Sequence, residues 1–282
     1  VKGHGTVGLI TYLRTDSTRI SEEADALCRS YIEEHFGKEY VKNSEKKTAQ
    51  SGKKIQDAHE AIRPTYIELT PVVVKESLSR DLFRLYQLIW KRFAASRMSE
   101  AKYETKSIKI DGANYRFTMA TSKKKFDGFL SVYETEEDKE EKTTVGKNLE
   151  KGMTLLLDNL EESQHFTQPP AHYTEASLVK SLEEKGIGRP RTYASTITTI
   201  IARRYVAKEE KNLYVTEIGE IVNRIMREAF TSIVDLSFTA NMESLLDHVE
   251  DGNIHWKTVV RNFYPDLETA VNHAGEQLEK YK

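Results

Sequence analysis

The chain has 282 residues, 30% of them charged and 38% hydrophobic, with a net charge of −2. That is room for two or three domains with several modest cores. Apolar runs of about 18 residues are absent, which excludes a hydrophobic membrane-spanning helix. The opening Val1-Lys2-Gly3-His4-Gly5 has no signal-peptide core, and a single cysteine, Cys28, excludes an internal disulfide and fits a reducing cytoplasm.

The first residue is not Met, so the expectation is a piece of a longer chain. Charge is segregated. Acid gathers at Glu134 to Glu141 and Glu161-Glu162. Base gathers at Lys53-Lys54, Lys123 to Lys125 and around Arg189, Arg191, Arg203 and Arg204. Such separation suits one DNA-facing surface and an acidic exterior.

Gly8 to Thr18 (Gly-Leu-Ile-Thr-Tyr-Leu-Arg-Thr-Asp-Ser-Thr) begins apolar, as a strand entering a core, then turns polar. If it is a strand, Tyr12 and Arg14 share a face. A phenol beside a fixed cation suits nucleophilic attack on a phosphodiester, since the cation favours phenolate and steadies charge on the phosphate oxygens. The alternative is a half-buried Tyr at a strand edge with a surface Arg.

Ser21 is a good N-cap for a helix carrying Ala24, Leu27, Cys28, Tyr31 and Ile32, ended by Gly37. Cys28 falls on its apolar side. Residues 41–54 read as a polar loop. Asp57-Ala-His-Glu-Ala-Ile-Arg-Pro-Thr65 follows. On a short helical turn His59 and Arg63 would lie on one side, able to grip a phosphate, and the His could pass a proton. The alternative is a capped turn stitched by a salt bridge.

Leu82 to Phe93 make an amphipathic helix with Lys91, Arg92 and Arg97 near its end. From residue 101 the period changes to two. Strands are expected at Ser107–Ile110, beyond an Asp111-Gly112 turn at Tyr115–Met119, at Phe126–Tyr133 and at Met153–Leu157. The region 101–168 reads as a β connector or arch in which Lys123 to Lys125 are solvated.

Pro169-Pro170 opens a second helical region. A helix from Ala176 to Lys185 stops at Gly186, and Thr192 caps a second helix carrying Ile197, Ile200 and Ile201. Strands at Tyr205-Val206 and Leu213 to Val215 follow, the order of a winged helix. The glycine- and arginine-rich start of the second helix offers a phosphate site. Helices at Glu217–Phe230, Ala240–Glu250 and from Trp256 onward read as packing elements.

Three stretches together resemble the bacterial type IA DNA topoisomerases, specifically the topoisomerase I branch: Gly8 to Thr18, Asp57 to Thr65, and Gly186-Ile-Gly-Arg-Pro-Arg-Thr-Tyr-Ala-Ser195. They stand in the family's order and roughly its spacing, and the resemblance covers nearly the whole chain. It implies that Tyr12 is the nucleophile forming a 5′-phosphotyrosine, that Arg14 stabilises the phosphate and that His59 lies near it. It implies that Arg189 and Thr192 line a single-strand groove, with Arg203 further along; Arg63 is a further DNA-binding candidate. The implied activity is ATP-independent cleavage and rejoining of one DNA strand, relaxing negatively supercoiled DNA in the cytoplasmic nucleoid.

The implied architecture is an α+β toroid of mainly helical domains, one of them winged-helix-like, joined by a β arch. By analogy the tyrosine-bearing domain is 1–99, the arch segment 100–168 and the winged-helix-like single-strand-binding domain 169–282. The family's N-terminal acidic domain, with Mg²⁺ carboxylates in an Asp-x-Asp cluster, has no counterpart: no Asp-x-Asp occurs here, and one cysteine cannot make a Cys₄ zinc ribbon. The Mg²⁺ ligands are therefore expected in the N-terminal acidic domain of the same, longer chain, and this fragment alone is expected to be inactive in relaxation. The alternative is a non-catalytic winged-helix DNA-binding module. A tyrosine recombinase fits poorly, because its Arg and His residues precede its tyrosine.

Overall fold

A computed structural model describes residues 1–15, 17–43, 59–134 and 149–277. The expected loop 41–54 lies mostly outside them, as do Asp16, Asp57 and most of the acidic run from Glu134 to Glu141. The described residues form eight α-helices and two two-stranded sheets, divided between two compact units, Val1–Glu162 and Ser163–Lys282.

In the first unit α1 (Glu22–Phe36) starts as expected. The Ser21 side chain accepts from the Ala24 amide, Glu22, Glu23 and Asp25 fill the first turn, and Gly37 ends the helix. The short α2 (Pro71–Val74) leads to α3 (Arg80–Arg97). Cys28 and Ile32 of α1 pack with Ile67, Leu69, Val74 and with Tyr86, Trp90, Phe93 and Ala94 of α3. The two largest polar rings in this core find partners: Trp90 Nε1 donates to Ile67 O at 2.9 Å, and Tyr86 Oη to Leu69 O at 2.6 Å. Burial pushes the Tyr86 phenol and the Cys28 thiol up to about 12 each. The basic end of α3 is structural: Arg97 pairs with Asp25 at 3.0 Å and Arg92 lies over the Tyr133 ring.

The β1 (Lys102–Gly112) and β2 (Tyr115–Phe126) strands form one antiparallel hairpin. Gly112 pairs with Tyr115, so the tight loop is Ala113-Asn114 rather than Asp111-Gly112, and Ala113 takes the left-handed φ of 52°. Two expected strands do not form among the described residues. Phe126 closes β2, and Gly128–Ser131 winds into a 3-10 turn whose Phe129 amide donates to Ser99 O at 2.9 Å. Met153–Leu157 has no ladder partner among the described residues and stays exposed, because alternation without a neighbouring strand leaves the backbone unpaired. Lys124 and Lys125 are paired with Glu134 and Glu104.

In the second unit α4 (Glu175–Glu184) is capped by Thr174 and Ser177, and α5 (Pro190–Ala202) follows the four residues Gly186 to Arg189 after Lys185. Thr192 is the third residue of α5, not its cap; Arg189 holds the cap position and Pro190, lacking an N–H, the first helical one. The hairpin β3 (Val206–Glu209) and β4 (Asn212–Val215) comes next, then α6 (Glu217–Ala229), α7 (Leu236–Glu250) and α8 (Trp256–Gln277). α7 starts earlier than expected because Asp235 accepts from the amides of Ser237 and Phe238. Gly219 fixes how α6 meets the hairpin. A Cβ there would lie 2.0 Å from Tyr205 O, the oxygen that also accepts from the Thr216 amide. We expect Gly219→Ala to destabilise this unit by about 1–3 kcal/mol, read as a lowered urea midpoint with the helical content of the folded baseline retained.

Candidate active site

The tyrosine-bearing stretch and the histidine-bearing stretch cross as neighbouring extended segments. Ile10 and Pro64 form an antiparallel bridge, with Thr65 N donating to Leu9 O and Thr11 N to Arg63 O, both at 3.0 Å. The Thr11 hydroxyl completes the seam: it donates to Ala61 O at 2.8 Å and accepts from Arg63 N at 3.0 Å. Pro64 is fully buried at this crossing. The next residue on one side is Tyr12, and its ring lies 5.6 Å from the His59 ring, tilted by 50°. Tyr12 is 60% exposed, so its phenol is open to a large substrate while its ring is located by His59.

The chain bends at Leu13 and Arg14 rather than continuing as a strand. Arg14 is exposed and, among the described residues, makes no side-chain hydrogen bond or ion pair. Beyond the bend Ser17 is buried, its Oγ accepting from the Arg19 amide, and Arg19 O accepts from Ala61 N at 2.7 Å.

His59 to Arg63 is not a helical turn. Arg63 folds onto Glu60 (2.7 Å) and donates to Pro64 O at 3.0 Å, and the Glu60 carboxylate also accepts from the Ser21 amide at 3.1 Å. The salt-bridge-stitched arrangement weighed in the sequence is therefore present for Arg63, whose guanidinium points to this internal network and not toward Tyr12's phenol as a free cation. Burial alone would raise the Glu60 carboxyl, but the Arg63 and Ser21 hydrogen bonds and the Arg63 charge outweigh it and hold it below its usual range.

Arg189, Thr192 and Arg203 lie in the other unit. Arg189 N donates to Thr192 Oγ1 at 2.9 Å, and that hydroxyl donates back to Arg189 O at 2.9 Å. Gly188 permits the turn at φ 77°, and a Cβ on it would press the Thr192 hydroxyl at 3.1 Å. The amides of Thr192 and Tyr193 both donate to Arg189 O. The start of α5 thus binds most of its own N–H groups, which narrows the phosphate site expected from sequence. Arg189's guanidinium meets Asp247 at 2.6 Å and Glu243 at 3.7 Å on α7. Arg203 caps the far end of α5, exposed and, among the described residues, without a side-chain hydrogen bond or ion pair.

A sequence reading misses Thr11, Asp247 and Glu243. The two acids are four apart and so share a helix face, but nothing local names the arginine they meet. No group of three or more His, Cys, Asp or Glu that could hold a metal occurs among the described residues. The residues here do not fit a Mg²⁺ site, and none is assigned.

The family model for DNA topoisomerase matches residues 5–261. The chain belongs to the bacterial type IA DNA topoisomerases. Full-length topoisomerase I from Thermotoga maritima, in a monoclinic crystal form, has a similar structure, with 37% sequence identity and a TM-score of 0.74 over 94% of this chain. The match covers 42% of that protein. In this topoisomerase chain the residues of the Tyr12–His59 contact and of the Glu60–Arg63 network belong to or adjoin the two segments that pair at one backbone seam.

The acid response of that seam has a definite sign. The folded Glu60 carboxyl lies below its ordinary value of 4.5, so the stabilisation it brings is complete above 4.5 and is lost as pH falls through its lowered folded value. Glu60→Gln removes that part. The urea midpoints of wild type and variant, measured from neutral pH downward, should differ most near neutrality and converge in acid.

Proposed function

We propose that this chain carries the strand-cleaving tyrosine of a type IA topoisomerase, with single-stranded segments of negatively supercoiled DNA as its substrate. The observation that carries the reading is the exposed Tyr12 phenol held beside His59 by the seam between residues 9–11 and 61–65. In the proposed step the phenol loses its proton, Oη bonds to phosphorus and the P–O3′ bond breaks. The leaving 3′-oxygen takes up a proton, and a 5′-phosphotyrosine remains. Resealing is the reverse, so the phosphodiester's energy is conserved in the ester and no ATP is consumed.

Arg14, exposed and not engaged in a salt bridge with any described residue, supplies positive charge to the phosphate oxygens. His59 has the geometry to hold or pass a proton beside the phenol. Arg63 acts through the local frame, holding the His59 segment by its bond to Glu60. The β1–β2 hairpin belongs, in this reading, to an arch over 100–168. The α4–α5–β3–β4 order belongs to a winged-helix-like domain over 169–282 whose Arg189, Thr192 and Arg203 follow the single strand. A partner domain bearing the acidic Mg²⁺ ligands completes the enzyme, and relaxation requires it.

A denaturing trap tests the proposal. The chain is mixed with labelled single-stranded oligonucleotide, with and without Mg²⁺ and with and without a separately supplied acidic domain of the family, then quenched with detergent. A DNA–protein adduct that Tyr12→Phe abolishes, while oligonucleotide binding persists, is the expected result. An adduct that survives the change removes Tyr12 from the role. Binding without any adduct under all conditions favours the non-catalytic DNA-binding module.

A further inference from the structure

The Arg189 side chain is held from several directions. One terminal nitrogen donates to Gly188 O at 2.8 Å and lies 3.7 Å from a Glu243 carboxylate oxygen. The other donates to Asp247 Oδ2 at 2.6 Å and reaches Glu243 O at 3.4 Å. Only 31% of the side chain is exposed, against 58% for Asp247. The cluster places one cation against two carboxylates and is net anionic. An arginine so arranged cannot offer its two-pronged face to a phosphate until a carboxylate leaves it.

We propose that Asp247, backed by Glu243, is an intramolecular latch that occupies Arg189 in the DNA-free protein and is displaced by a DNA phosphate. The proposal rests on the reading above that Arg189 contacts DNA, and it adds how that contact is regulated. The acid sits where the phosphate must come, on an exposed helix face, so exchange of one anion for another needs no rearrangement of the backbone. Its effect is to weaken binding to any isolated phosphate while leaving the arginine in place at the head of α5. A strand that also engages the exposed Arg203, which caps the far end of α5 near the same face as Arg189, has enough contacts to open the latch. The two arginines span about 20 Å along the helix, so a short ligand cannot reach them together. Hydrogen bonding to Asp247, working against burial, also pushes the Arg189 guanidinium further up, so the arginine remains charged throughout.

The test is a double-mutant cycle read by fluorescence anisotropy of a labelled single-stranded oligonucleotide at fixed low salt. It uses wild type, Asp247→Asn, Arg189→Ala and the double variant, each checked for an unchanged melting transition. A partly exposed ion pair sets the scale, so Asp247→Asn should tighten binding roughly two- to fivefold. In the Arg189→Ala background the same change should have little effect. Weaker binding by Asp247→Asn would mean that Asp247 positions Arg189 for DNA, and would overturn the latch. Equal tightening in both backgrounds would reduce the effect to general charge and also overturn it. No binding by any of the four proteins would instead reject the DNA-contact reading on which the latch stands. Asp247→Ala provides a second variant that lacks the amide's own hydrogen bonds.

Discussion

The hydroxyl of Thr11 is the constraint on which the proposed site depends. It joins residues 50 apart in the chain by accepting one hydrogen bond and donating another across the same seam. With the bridge at Ile10 and Pro64, it sets the register of two segments that have no helix or long sheet of their own. One residue of slip would turn Tyr12 to the opposite face, since side chains alternate along extended backbone. A short, hydrogen-bonded crossing therefore does the aligning that a large sheet does in other folds. The buried Trp90 and Tyr86 rings support it from below by holding the carbonyls of Ile67 and Leu69, just downstream of Pro64.

Arginines in this chain divide by their neighbours. Arg63 and Arg97 are tied to Glu60 and Asp25 and build the frame. Arg189 is held by Asp247 and Glu243 at a helix start. Arg14, Arg191 and Arg203 are exposed, and none is bonded through its side chain to a described residue. Identical side chains thus have different chemical availability, and net charge near zero conceals this. Exposed arginines of this kind are the ones whose charge a polyanion meets first.

Local signals described the helices well. Ser21 with Glu22 and Glu23, Thr174 with Ser177, and Thr216 before α6 are caps that act within a few residues, and the helices begin there. Strands were less legible, because a strand exists only when a partner is present. Lys102–Gly112 has one, whereas Met153–Leu157 has the pattern without a described neighbour. The start of α5 was misplaced by a few residues because Thr192 is a good capping type, yet Pro190 fits the first helical position and Thr192 serves as the reciprocal partner of Arg189.

The sequence by itself determined the family, through three motifs whose order and residue types are specific, and it named Tyr12, His59 and Arg189 as candidates. It also determined that Cys28 is a core residue, since helical spacing alone puts it beside Ile32. Only the tertiary structure decided that Tyr12 meets His59, that Arg63 turns inward to Glu60 and that Arg189 faces Asp247. Capping and periodicity act over three or four residues and leave a local trace. Contacts across about 50 residues depend on how segments cross, and no short-range pattern encodes the crossing.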